Sequence, residues 1–106
     1  MSSKLLSMDR IKEEDRRLAI LVALHEEVSG TLNEHLLQAW LQTIGHAVTT
    51  EQVLEDCVQL EKLGVVRTER DREDALVVKL TDRGDDFLQR RVAIEGIRSP
   101  RYDSVY

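Results

Sequence analysis

The chain has 106 residues, of which 42% are hydrophobic and 33% charged, and its formal net charge is −5. This length and balance fit one globular domain that buries its own core without metals or disulfides, and they exclude a disordered chain. The acid excess argues against broad nucleic-acid affinity, and the longest apolar run, Leu18 to Leu24, is far too short to span a bilayer.

Residues 1–8 form a short polar stretch, expected to be flexible. A first helix is expected from Met8 or Asp9 to about Glu27. Its first half, Asp9 to Arg17, is almost all charged. Arg10, Lys12, Arg16 and Arg17 alternate with Glu13, Glu14 and Asp15, so pairs such as Glu13–Arg17 predict a salt-bridged exposed face. Its second half, Leu18 to Leu24, is apolar at every position and must be buried on more than one side. Either the chain wraps this helix completely or a second subunit covers part of it. The dimer is the favoured expectation, with Leu18, Ile20, Leu21 and Leu24 at its interface.

Ser29-Gly30 breaks the pattern, and Thr31-Leu32 reads as a very short strand. Asn33 is an N-cap with Glu34 in the first turn behind it. Leu36, Leu37, Trp40, Leu41 and Ile44 then recur at helical spacing, and Gly45 ends that helix. After a short linker, Thr49 and Gln52 form a capping box for a third helix that runs to about Leu63 and buries Val53, Leu54, Cys57, Leu60 and Leu63. Gly64 terminates it. Val65 to Arg70 and Ala75 to Leu80 are strand-like runs around the polar loop Asp71 to Asp74, a β-hairpin pattern. Thr81 is the N-cap of a last helix, expected over Asp82 to Val92 and burying Phe87 and Leu88. Gly84, early in that helix, signals close approach to another element. Residues 93–106 lack periodicity, contain Pro100 and are expected to form an extended tail.

This order predicts a mostly α fold with a small antiparallel β-hairpin, a winged helix-turn-helix over residues 9–92. Leu63-Gly64-Val65-Val66 resembles the step from recognition helix into wing. Leu80-Thr81-Asp82-Arg83-Gly84 resembles the step from wing into last helix seen in multiple-antibiotic-resistance (MarR) and arsenic-type (ArsR) repressors. More narrowly, Glu14 to Leu18, Gly45 to Thr49, Leu80-Thr81 with Gly84, and the tail from Val92 to Pro100 resemble a small winged-helix family of Mu-like phages and prophages, often labelled ArsR-like. The resemblance implies a phage accessory or regulatory protein. It supplies no reaction, because fold does not imply function.

The charge map divides the functional readings. Between Leu18 and Glu61 there is no Lys or Arg, yet there are seven acids: Glu26, Glu27, Glu34, Glu51, Glu55, Asp56 and Glu61. DNA binding draws most of its affinity from cations at phosphates. In the major groove the third helix would offer Thr50, Gln52 and Gln59 to base edges, while Glu51, Glu55 and Asp56 faced phosphates. In the wing, Arg70 and Arg72 compete with Glu69, Asp71, Glu73 and Asp74, and an alternating solvated hairpin is the plainer reading. Arg83, Arg90, Arg91, Arg98 and Arg101 are the least neutralised cations. Two expectations stand side by side. The first is a protein-interaction or dimerisation module using Glu51, Glu55 and Asp56 as an acidic face. The second is a transcriptional regulator that reads DNA with Thr50, Gln52, Gln59, Arg70 and Arg72. The protein partner is unknown on the first reading.

No nucleophile motif, phosphate loop or paired-carboxylate constellation is present, so no enzyme and no cofactor is expected. His25, His35, His46 and Cys57 lack metal-ligand spacing. Cys57 lies among apolar residues and reads as a small buried hydrophobe, and Trp40 reads as core. A lone cysteine and an N-terminus without an apolar signal region predict a cytoplasmic protein with no membrane partner.

Overall fold

The computed structural model describes residues 7–100. Seven elements follow in order: α1 (Met8–Glu26), β1 (Thr31–Asn33), α2 (Glu34–Thr43), α3 (Thr50–Lys62), β2 (Val66–Arg70), β3 (Leu76–Leu80) and α4 (Asp82–Leu88). Local chemistry sets most boundaries. Asn33 accepts from the Leu36 amide, the Thr49–Gln52 capping box is complete in both directions, and Thr81 accepts from the Gly84 amide. Gly45 and Gly64 close α2 and α3 at φ 100° and 81°, a region costly for any residue with a β-carbon.

The expected hairpin is part of a three-stranded antiparallel sheet in the order β1-β3-β2. Arg67 lies opposite Lys79 on one side of β3, and Thr31 lies opposite the same lysine on the other. Val66, Leu76 and Val78 turn inward onto a core built from the second half of α1 with Leu37, Leu41, Val53, Leu60 and Phe87. This is the winged-helix arrangement, with α2 and α3 as the helix-turn-helix and β2–β3 as the wing.

Three expectations are corrected. Leu18, Ile20, Leu21 and Leu24, expected to face a second subunit, face their own chain: α2, α3, α4 and β3 surround α1 and leave them at most 2% exposed. The last helix stops at Leu88 rather than Val92. Arg90 takes a left-handed conformation at φ 66°, its amide donates to the Phe87 carbonyl, and the Arg91 amide donates to that of Asp86. Those two bonds are a Schellman closure on a non-glycine residue. The charged half of α1 keeps the expected i,i+4 pairs, Glu13–Arg17 at 3.4 Å and Arg10–Glu14 at 3.0 Å, but it is not wholly an exposed face, since Arg16 and Arg17 also point into the body of the protein.

Ser7 caps α1 and Met8 opens it. Beyond α4, Ile97 is buried and the Arg98 amide donates to the Glu14 carbonyl, so this stretch lies back along α1. The rest of the expected flexible N-terminus and the end of the expected tail, Arg101 included, lie outside the described residues.

Candidate interaction surface on the helix-turn-helix

The outward side of α3 presents Glu51, Gln52, Glu55, Val58, Gln59 and Lys62, all exposed. Glu51 and Glu55 stand one turn apart, and the helix has no cation before its last residue. Asp56 does not share this face. It is 1% exposed and accepts from Nε of both Arg16 and Arg17. The expected acidic trio therefore splits into two surface carboxylates and one internal anchor. The cause is helical position: Asp56 follows Val53 by three residues and precedes Leu60 by four, on the core side of α3.

The expected base-reading residues fare unevenly. Thr50 is half-buried, and its hydroxyl donates to Gln38 Oε1 at 3.0 Å. Gln52 Oε1 accepts from the Thr49 amide in the capping box. Arg70 folds back along the wing, where its Nη1 donates to the Asp74 carbonyl at 2.9 Å and lies 3.6 Å from Glu34 Oε1. Gln59 and Arg72 are exposed, and their side chains have no polar partner among the described residues. Arg72 sits in a turn whose first residue, Asp71, accepts from the amides of Glu73 and Ala75. The wing tip is thus one cation among Asp71, Glu73 and Asp74.

Sequence reasoning missed two acids that position this surface. Glu34 is buried at the start of α2, and its Oε1 accepts from the Leu76 amide at 2.6 Å, fixing the wing to the helix-turn-helix. Asp15 joins the Nε2 of His46, in the α2–α3 turn, at 3.1 Å to the Nη1 of Arg98 at 2.7 Å. Arg17 adds a bond from Nη1 to the Gly96 carbonyl. Through Asp15, Arg16 and Arg17, the charged half of α1 holds both the helix-turn-helix and the segment after α4.

Cys57 is buried beside Asp56, and its thiol is pushed up from 9.0 to about 12, first by burial and then by the charges of Asp56, Glu34 and Glu61. The thiolate is the reactive form. Native protein at pH 8 is expected to stay unmodified by a thiol-specific reagent and to react fully once unfolded in urea; fast native labelling refutes this. Because the folded value is the raised one, its contribution to stability is complete below pH 9 and is lost as the pH climbs toward 12.

Among the described residues no cluster of His, Cys, Asp and Glu is placed to hold a metal ion, and no helix is long and apolar enough to cross a membrane. Trp40 packs half-buried against the core.

The chain is 36% identical over 91 residues to the uncharacterized protein gp26 of Escherichia phage Mu, an alignment covering 86% of this chain and 93% of that protein. It belongs to the phage Mu gp26 family. No family model matches the chain. Its fold is similar to that of Sco3205, a MarR family transcriptional regulator from Streptomyces coelicolor solved in complex with DNA, with a TM-score of 0.61 and 24% identity. The match covers 77% of this chain and 52% of that one, so the chain spans about half the regulator's length. At this identity the likeness establishes the winged helix alone.

Proposed function

We propose that this phage protein is a non-enzymatic, cytoplasmic winged-helix module whose exposed recognition-helix face contacts protein rather than DNA. One observation carries the reading: Glu51 and Glu55 occupy the outward side of α3 with no cation before Lys62. A helix entering the major groove with that face would bring two carboxylates toward phosphates and release no counterions. Val58 supports the same reading, since it places an exposed apolar side chain on the same side.

The DNA-binding alternative, a regulator of the MarR or ArsR type, draws its support from the fold. Of its five candidate contacts, Gln59 and Arg72 are free to act without breaking an internal bond.

Fluorescence anisotropy with a pooled DNA-fragment library separates the two. The protein is expected to give a flat trace at about 10 mM salt, where phosphate attraction is least screened. The E51K/E55K variant is expected to gain binding that fades with salt, with a slope of log K against log salt of about −1.8 if both lysines reach phosphates. Saturable, salt-sensitive binding by the unmodified protein overturns the proposal in favour of the regulator.

A further inference from the structure

The outer face of the sheet carries a charge pair that the described chain leaves unanswered. Arg67 of β2 stands directly opposite Lys79 of β3. Both are exposed, and neither side chain has a hydrogen-bond or ion-pair partner among the described residues. Like charges at directly opposed positions weaken a sheet. Places where a sequence breaks such a local rule tend to be functional. The two cations line an open groove of about 570 Å³ together with Thr31 and Thr81, with Glu69 and Asp82 also on its walls. Neither carboxylate is within ion-pairing distance of Arg67 or Lys79.

The chain carries the complementary pattern elsewhere. Glu51 and Glu55 are i,i+4 neighbours on α3, with β-carbons about 5–6 Å apart. Residues directly opposed across antiparallel strands have β-carbons about 4.5–5.5 Å apart. Two carboxylates thus match two cations in number, sign and spacing. The patches share no residue and lie toward opposite ends of α3. Thr68, next to Arg67, donates to Glu61 near the C-terminal end of that helix, whereas Glu51 is in its first turn.

We propose that the outer sheet face of one copy receives the start of α3 of a second copy, with Glu51 and Glu55 meeting Arg67 and Lys79. The inference rests on the protein-contact reading of the acidic face and names its partner. Donor and receiver are different surfaces, so the contact is heterologous. It repeats head to tail into a ring or an open filament rather than closing as a two-fold dimer.

Sedimentation velocity of the full chain tests this between about 10 mM and about 1 M salt, over which the screening length falls from about 30 to about 3 Å. Species larger than a dimer are expected at low salt, growing with protein concentration, and monomer at high salt. E51K/E55K and R67E/K79E are each expected to remain monomeric at low salt, with unchanged circular dichroism. Mixed together they are expected to associate again, because the basic sheet of the first then meets the acidic helix of the second. Both variants retain a net negative charge, so their attraction reports the local contact. A monomer at low salt, a dimer indifferent to both double variants, or a mixture that fails to associate overturns the inference. A monomer with a flat DNA trace removes only the self-contact. Salt-sensitive DNA binding by the unmodified protein removes the acidic-face reading beneath it.

Discussion

Replacing Asp56 with alanine is expected to lower the unfolding free energy by about 3–5 kcal/mol, the range found when one partner is removed from a buried ion pair. Asp56 is 1% exposed and the side chains of Arg16 and Arg17 are each 12% exposed, so all three groups have left water. Guanidinium does not lose its proton in proteins. Without Asp56 two cations therefore stay charged and desolvated. Arg17 keeps the Gly96 carbonyl and Glu13, 3.4 Å away, whereas Arg16 keeps no partner that the structure shows. Domains of this kind have about 5–15 kcal/mol of total stability, so the loss is a large fraction of it. A urea titration reads it as a midpoint lowered by about 2 M, for a slope of roughly 2 kcal/mol per molar. Replacing all three residues with apolar ones of similar volume is expected to restore much of the loss, because the cost lies in the orphaned charge. A loss under about 1 kcal/mol for Asp56→Ala would mean that water reaches the triad and that α1 is not fastened to α3 through it.

The helix-turn-helix and wing were legible in the sequence because their ends are set by short-range chemistry. Asn33, Thr49 with Gln52, Thr81, Gly45 and Gly64 each act within a few residues of themselves. The extent of α4 was not legible: nothing between Asp82 and Val92 forces a stop, and Arg90 ends the helix by adopting a conformation that glycine usually supplies. The acids and cations were misread by counting charge along the chain instead of around the helix. Arg17 precedes Ile20 and Leu21 by three and four residues, which places it on the buried side of α1, as Val53 and Leu60 place Asp56 in α3. The all-round apolar run from Leu18 to Leu24 fits either a second subunit or a helix wrapped by its own chain, and periodicity does not separate the two; in the fold the sheet and α4 supply its remaining walls. Glu34 was beyond local reasoning, since the amide it accepts from belongs to Leu76, 42 residues away. For the candidate surface, the acidity of α3 was visible in advance. The split of its acids and the Arg67–Lys79 pairing across β2 and β3 required the fold.

Gly84→Ala is expected to destabilise the protein by about 2 kcal/mol, although alanine is favoured over glycine inside a helix by about 1 kcal/mol. A β-carbon at Gly84 would lie 2.3 Å from the Val65 carbonyl oxygen and 2.6 Å from Leu80 Cδ1. The oxygen belongs to the backbone and is not free to retreat, because it also accepts from the Thr81 amide at 3.1 Å. Thr81 in turn accepts from the Gly84 amide and donates to the Gly64 carbonyl at 2.7 Å. Moving Val65 therefore disturbs the cap of α4 and the exit from α3 together. Overpacking of this kind costs about 1–3 kcal/mol and at times more, which outweighs the helical gain. The expected readout is a melting temperature lower by about 10 °C. Gly30→Ala is the control: its backbone is left-handed at φ 69° with nothing within 4 Å, so only the conformational cost of about 1 kcal/mol applies. If Gly84→Ala matches or exceeds the original stability, α4 can shift away from the α3–β2 junction without loss. The Leu80-to-Gly84 step would then record helix propensity alone, and the wing would not be held at a fixed angle to the recognition helix.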